Sequence, residues 1–372
     1  MIETDVLVVG AGPAGLSAAR AAAGHGCRVL VVDENDRPGG QLFKQIHKFF
    51  GSKLHDAGTR GFDIGRALLD EVESLGVDVM LDTVAYGIFP EGTAILHSGR
   101  RERIIRSARE ILATGASENP LCLPGWTLPG VIGAGALQTM LNVHRVSPGD
   151  RVLMVGSGNV GLVVSYQVLQ AGAKVVAVIE GLPRVGGYAV HAAKIRRAGV
   201  PVHTSHTVVA ALPNADGTRV AAAVIARTGE NMAPVPGTEK ILDVDTIAIA
   251  TGLSPMIELA FIAGAALTYK ESLGGHVPLH DEDMMTTVDG LYVAGDISGV
   301  EEASSAIEEG RLAGIAAAES LGKVDPVQAA AEKQEARESL RTLRMGPFGA
   351  ARAREKGQIT REIRALRGTG RV

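Results

Sequence analysis

The chain contains only two cysteines, Cys27 and Cys122, 95 positions apart. A structural zinc site or an iron–sulfur cluster draws on about four suitably spaced ligands, and a redox dithiol on a close pair such as CxxC, so this polypeptide houses none of these. Aromatic residues make up just 3%, and 37 Lys+Arg are outnumbered by 41 Asp+Glu, for a net charge of −4. Without a basic block over a stacking platform, the bulk of the chain is not a nucleic-acid binder. No run approaches the ~18 uninterrupted apolar residues of a membrane span, and no charged leader precedes the first strand. A cytoplasmic protein without a transmembrane segment is expected. Its 372 residues suffice for two ordinary domains and an appendage.

Glycine is what the chain has in excess: 47 of 372 residues, about 13% where about 7% is usual. The glycines fall in short groups at the ends of apolar runs. Asp5 to Val9 is a β-branched run suited to a strand buried on both faces, and it leads into Gly10-Ala11-Gly12-Pro13-Ala14-Gly15 and an alanine-rich helix through Ala23. A second strand, Arg28 to Val32, ends in Asp33-Glu34, which closes one βαβ unit. The same grammar returns with strand Arg151 to Val155, turn Gly156-Ser157-Gly158-Asn159-Val160-Gly161, a helix to about Ala171, and a strand ending in Glu180. Gly10 lies 23 positions before Asp33 and Gly156 lies 24 before Glu180, so two dinucleotide folds are expected.

Each glycine in such a turn has a task. Gly10 allows the tight bend, Gly12 leaves room for a pyrophosphate against the backbone, and Gly15 lets helix and strand pack closely. The phosphate then meets the helix's unpaired N–H groups, and Asp33 is placed for ribose hydroxyls. In the second unit Gly156, Gly158, Asn159, Val160 and Gly161 form the turn. Glu180 there favours NAD over NADP, because a carboxylate repels a 2′-phosphate. Three further runs, ending at Gly115, Gly252 and Gly295-Asp296, finish in small residues at the edge where open α/β sheets bind ligands.

With these residues in view, the chain resembles the flavoproteins with two dinucleotide-binding domains, the thioredoxin-reductase-like group of pyridine-nucleotide oxidoreductases. Thr287 to Asp296 (TVDGLYVAGD) is similar to their late flavin-returning segment, and Gly39-Gly40-Gln41-Leu42 to a loop near the flavin. The resemblance covers about residues 1 to 325. It implies an α/β fold of two Rossmann-like domains, the second inserted in the first, with a C-terminal helical tail. The FAD-binding domain would comprise 1–118 and 253–325, the NAD(P)-binding-like domain 119–252, and a helical basic tail 326–372, available for partner docking. It also implies that Gly10, Gly12, Pro13, Ala14, Gly15, Asp33 and Glu34 hold the ADP half of FAD, and that Gly40, Gln41 and Leu42 lie along the flavin. Val84 would touch adenine, while Ala113, Thr114 and Gly115 pass the pyrophosphate. Gly295 and Asp296 would meet the ribityl chain or phosphate, and a helix at Ser305-Ala306 would aim its N-terminus at the flavin. Gly252 would join the second site, for NAD or ATP.

The departures bear on function. Disulfide reductases of this group need a cysteine pair beside the flavin, whereas Phe43-Lys44-Gln45 and Val185-Gly186-Gly187-Tyr188 stand at those places. A narrower resemblance follows from Leu123 to Val131 (LPGWTLPGV), Gly133 to Gln138, Gly299 to Ala303, Glu309 to Gly314 and Gly346-Pro347-Phe348-Gly349. These look like α-type subunits of sarcosine oxidase, hydrogen cyanide synthase, opine oxidase and dye-linked proline dehydrogenase. The implied activity is FAD-dependent oxidation of a CH–NH or CH–NH2 donor, a secondary amine or amino acid, within a multi-subunit dehydrogenase. The implied partners are a second flavoprotein subunit plus a small 2Fe-2S or ferredoxin-like subunit, since relatives continue into such a module and this sequence ends at Val372. Two other readings stay open: a self-sufficient NADH-dependent reductase of a soluble acceptor, and a non-catalytic nucleotide-binding scaffold.

No residue is singled out as catalytic and no metal ligand set is expected. Lys44, His47, Lys48, His55 and Asp56 are read as a solvated helix face, Glu301 and Glu302 as ordinary first-turn carboxylates. Both cysteines are read as buried hydrophobes and Trp126 as a packing anchor between domains. Residues 341 to 372 carry nine Lys/Arg against Glu355 and Glu362. With Ala336, Leu340, Leu343 and Ile359, Ile363, Leu366 at helical spacing, they suggest two short amphipathic helices, covered by a partner or by this chain itself.

Overall fold

Successive residues of a strand face opposite sides of a sheet, so an apolar run with no polar alternation calls for cover on both sides. The strand Ile2–Val9 has it. Val6 and Val8 join one core cluster, with Leu16 and Ala18 of the helix Pro13–Gly24, while Leu7 and Val9 join another, with Ile88 and Leu96. The computed structural model describes residues 1–49, 52–89, 92–99 and 101–368. It divides into two units, Met1–Ser117 with Ser254–Val372, and Glu118–Leu253.

In the first unit five strands run parallel in the order Asp78–Met80, Val29–Val32, Ile2–Val9, Arg101–Leu112 and Leu291–Val293. Val9 pairs with both Val32 and Leu112, so three strands end level at one edge. Strands Thr83–Phe89, Thr93–Ser98 and the first half of Arg101–Leu112 form an antiparallel meander, an element the apolar runs alone did not disclose. The helix Ala303–Ser320 lies on the helix Pro13–Gly24 with almost no side chain between them. A Cβ on Gly310 would stand 2.0 Å from the Ala14 carbonyl oxygen, and one on Gly314 2.3 Å from that of Ala18.

The tail forms two long helices, not short ones: Pro326–Leu343 and Ala350–Gly368, of 18 and 19 residues. Asp325 caps the first by accepting from the N–H groups of Val327 and Gln328, and Pro326 supplies a preset first turn. Its apolar stripe is covered by the chain itself. Ala329, Ala336 and Leu340 extend the first core, and Ile359 and Ile363 are buried beside Leu273, Val277 and Leu279. Ion pairs follow the same contact, Lys333 with Asp283 and Glu319, Arg364 with Glu282, and Arg367 with Asp281.

The second unit repeats the plan. Its parallel order is Val202–Thr204, Lys174–Glu180, Arg151–Val155, Thr246–Ile249 and Val131–Gly133, beside a three-stranded antiparallel sheet from His206–Pro213, Val220–Arg227 and Lys240–Asp243. The strand at the far end comes last in the first unit and first in the second, a circular rearrangement of one topology. Among the described residues no helix is long and apolar enough to cross a membrane.

Because the Gly310 contact is backbone against backbone, neither helix can yield to a larger residue by changing rotamer. Gly310→Val should lower the unfolding free energy by about 3 kcal/mol, read as a fall in the urea midpoint.

Candidate functional site

Two glycine turns occupy equivalent places at the carboxyl edges of the two sheets. At each, the first glycine has a left-handed φ, +106° at Gly10 and +107° at Gly156. A Cβ there would lie 2.3 Å from the Ala113 carbonyl oxygen or 2.2 Å from that of Ala250. The third glycine is equally constrained, since a Cβ on Gly15 would sit 1.7 Å from the Gly10 oxygen and one on Gly161 2.2 Å from the Gly156 oxygen. Fold sterics explain these four positions.

They do not explain the middle glycines. A Cβ on Gly12 or Gly158 would meet nothing within 4 Å, and both residues hold an extended backbone that any residue adopts. Each is the N-cap of its helix, Pro13–Gly24 or Asn159–Gln170, with no side-chain cap and no acid in the first turn. First-turn N–H groups without a cap carry partial positive charge and favour an anion. The residues present thus fit a phosphate-bearing ligand lying against bare backbone, the group a dinucleotide supplies.

Each turn is held by an acid at the end of the next strand. Asp33, buried, accepts from the Ala11 N–H at 2.6 Å and from the Asn35 backbone and side-chain N–H groups at 2.8 and 2.7 Å. Glu180 accepts from the Ser157 N–H at 3.0 Å, the Ser157 hydroxyl at 2.6 Å and the Leu182 N–H at 3.1 Å. The likeness continues one loop further. The Gly39 N–H donates to the Ala11 carbonyl at 2.6 Å, and the Gly187 N–H to the Ser157 carbonyl at 2.8 Å. The second Gly-Gly pair, Gly186-Gly187, was not singled out from the sequence, although it follows Glu180 by the same interval at which Gly39-Gly40 follows Asp33.

Around the first turn, Gly295 comes close, a Cβ there lying 2.8 Å from the Ala14 Cβ. Ser305 and Ala306 are buried in the first turn of the helix Ala303–Ser320, which begins two residues earlier than Ser305. The Thr114 hydroxyl donates to the Met256 carbonyl at 2.7 Å, and Gly40, Gln41 and Glu34 are exposed. Val84 is half-exposed next to Thr83, whose N–H donates to the Asp33 carbonyl. The Leu42 side chain is fully buried in the core, so only its backbone is available to a ligand. In the second unit Val160 and Gly252 are exposed, and Gly252 takes a φ of +110°.

Several expectations are corrected. Cys122 is exposed, and only Cys27 is a buried hydrophobe, its thiol pushed up to about 11 by burial and by Asp5. Trp126 is 48% exposed and anchors no core. The segment after Gly39-Gly40 is no helix face but short 3₁₀ turns, Gly40–Lys44 and Lys53–His55, and His55 hydrogen-bonds Ser339 of the tail at 2.8 Å. Glu301 is no free first-turn carboxylate, for Arg344 Nε donates to both its oxygens at 3.0 Å.

Behind the Gly295 turn lies a buried group of charges that sequence reasoning missed. Glu309 accepts from the Gly295 N–H at 3.0 Å and the Ser298 hydroxyl at 2.8 Å, and from Lys356 Nζ at 2.7 Å and Arg344. Burial pushes the Glu309 carboxyl up, but Lys356 and Arg344 outweigh it and hold it ionised. Burial raises Asp296 to about 6. His280, buried beside these charges, donates through Nδ1 to the Asp281 carbonyl at 3.0 Å, while its Nε2 has no partner among the described residues. Burial and the Lys356 charge lower it to about 4. Among the described residues no group of three or more His, Cys, Asp or Glu could hold a metal ion.

Two Rossmann-like units with a glycine turn each, one inserted in the other, define a two-domain dinucleotide-dependent oxidoreductase. The family model for pyridine nucleotide-disulphide oxidoreductases matches residues 4–310, and the chain belongs to that family. Such oxidoreductases bind FAD, and often NAD(P). An opine oxidase subunit of Rhizobium meliloti (strain 1021) is 31% identical over 340 residues, 86% of this chain and 72% of that protein. The sarcosine oxidase alpha subunit of Corynebacterium sp. (strain P-1) is 31% identical over 86% of this chain, which spans only 33% of that protein. The thioredoxin reductase of T. acidophilum shares the fold, with a TM-score of 0.71 at 20% identity over 86% of this chain and 99% of that one.

Two outcomes are expected. Gly12→Asp places a good N-cap where a side chain meets nothing, so unfolding free energy should hold or rise by about 0.5 kcal/mol. Dinucleotide affinity, measured by calorimetry, should fall by about 100-fold or more as the carboxylate meets the phosphates. For His280, the folded value lies below the unfolded one near 6.5, so stability is full above that pH and is lost as pH falls through 4. Between pH 7 and 4.5 this costs about 2–3 kcal/mol, which should vanish from the urea-unfolding difference in His280→Gln.

Proposed function

We propose that the chain is the FAD-binding subunit of a multi-subunit dehydrogenase that oxidises a secondary amine or amino acid of the opine, sarcosine or proline kind. The observation that carries this reading is the first glycine turn, where Gly12 has no steric reason to be glycine, in an oxidoreductase with no cysteine pair. Gly10, Gly12, Pro13, Ala14 and Gly15 would hold the pyrophosphate on bare amides, with Asp33 and Glu34 toward the ribose, Val84 toward adenine and Ala113-Thr114-Gly115 along the opposite side. Gly40, Gln41 and the Leu42 backbone, with Gly295, Asp296, Ser305 and Ala306, would border the flavin end. FAD bound there supplies two-electron acceptance and one-electron release. The helix start at Ala303, which no side chain caps, lends positive potential to this end, which favours the anionic reduced form.

Both cysteines are free thiols 95 positions apart, and Cys27 is buried with a raised thiol. On this reading electrons from this chain pass to partner proteins, a second flavoprotein subunit plus a small 2Fe-2S or ferredoxin-like protein. The relatives' names, which make them subunits of opine oxidase and of sarcosine oxidase, support amine donors and assembly with other chains.

The second turn reproduces the backbone hydrogen bonds of the first, which favours a second nucleotide there, with Gly156, Gly158, Asn159, Val160, Gly161, Glu180 and Gly252 in contact. The Glu180 carboxylate, tied to Ser157, opposes a 2′-phosphate, so NAD is preferred to NADP, with ATP the competing occupant. On the alternative reading the chain is a self-sufficient NADH-dependent reductase.

The test uses the full chain alone and co-purified with its native partners. The chain should bind FAD with a yellow chromophore, turn over no amine alone, and do so in the complex. A protein still colourless after incubation with FAD overturns the cofactor assignment. Full amine activity of the isolated chain overturns the division of labour, and rapid bleaching by NADH favours the reductase.

A further inference from the structure

The turn Gly295–Ser298 reaches the first glycine turn from a different part of the chain, and what holds it comes from farther still. Its N–H at Gly295 is taken by Glu309, and its Ser298 hydroxyl by the same carboxylate oxygen, at 3.0 and 2.8 Å. The other Glu309 oxygen takes Lys356 Nζ at 2.7 Å, and Lys356 also donates to Ser298 Oγ at 2.6 Å. On the far side of Asp296, the Glu301 N–H donates to Asp296 Oδ1 at 3.2 Å while Arg344 grips the Glu301 carboxylate. Both flanks of Asp296 are thus tied to cations from residues 344–356. Glu309 and Lys356 are 2% and 6% exposed.

A buried quartet of two carboxylates and two cations gains little over apolar packing, because the cost of removing four charges from water roughly cancels their attraction. Direction is what it adds: two cationic donors and the two carboxylates that accept from them set where the Gly295 amide and the Asp296 carboxylate point. We propose that Lys356 and Arg344 are positioning residues of the first cofactor site, acting through Glu309 and Glu301 on the Gly295–Ser298 turn, so that the C-terminal helix Ala350–Gly368 is a component of that site. This rests on the reading of the first glycine turn as the FAD site.

The experiment compares Lys356→Met with Lys333→Met in the full chain. Lys333 is an equally buried tail lysine, bonded to Asp283 and Glu319 instead. Both variants should loosen the tail. Without FAD, amide hydrogen exchange over 295–299 should quicken at least about tenfold in Lys356→Met and stay within about twofold in Lys333→Met. On titration, FAD affinity should drop at least about tenfold in Lys356→Met alone, and its bound flavin spectrum should shift. Equal exchange and equal affinity in the two variants would make the network part of tail docking only and overturn the proposal. Failure of the unaltered chain to bind FAD would overturn the cofactor reading itself, and with it the purpose assigned to the network, whatever the exchange rates.

Discussion

Everything at the first site depends on how closely backbone meets backbone around the helix Pro13–Gly24. On one side Gly10 and Gly15 let its first turn touch the strand ends, where any side chain would lie within 2.3 Å of a carbonyl oxygen. On the other, Gly310 and Gly314 let the helix Ala303–Ser320 lie on its Ala14 and Ala18 carbonyls. A helix wedged this tightly starts abruptly at the sheet edge, and its uncapped N–H groups face outward there. The anion-attracting edge is thus a by-product of packing. Gly12, the glycine of the turn free of that packing, is where the proposed ligand would lie.

The second unit shows which features belong to the plan and which to each copy. The carbonyl contacts, the acid on the turn's N–H and the Gly-Gly loop over the turn recur in both. So does the N–H two residues beyond each acid, and only the acid's side-chain partner differs. Asp33 leans on Asn35, whereas Glu180 is bound by the Ser157 hydroxyl, where the first copy has Ala11. One extra oxygen draws the second acid into the turn and ties down an oxygen that the first copy's shorter Asp33 shares with a single N–H.

Charge in the tail does not behave as charge on a surface does. Nine basic residues near the C-terminus read as a solvated or partner-seeking stripe, yet two of them turn inward and neutralise carboxylates that would otherwise be stranded. Without Lys356 and Arg344, burial in the folded unit would drive Glu309 to protonate. Lys356 is unstable in an apolar setting for the mirror reason. Each is tolerated because the other is there, which ties the tail to the first unit.

Local patterns were legible wherever one residue's neighbours in sequence are also its constraints. The strand–turn–helix corners at Gly10 and Gly156, the acids at Asp33 and Glu180, the strand Leu291–Val293 and the two tail helices are all short-range grammar, in which glycine and alternation carry the meaning. The meander of residues 83–112, the exposure of Cys122 and Trp126, the Gly310–Ala14 contact and the Lys356–Glu309 pair were not, since each requires knowing which distant segment lies alongside. A lysine looks the same in a sequence whether water or a carboxylate 47 positions away surrounds it. The amino-acid order by itself determined that the chain builds two phosphate-seeking corners. Only the tertiary structure decided that Arg344 and Lys356 of the tail are tied to the Gly295–Ser298 turn and Glu301 beside one of them, because burial and charge pairing arise when segments meet.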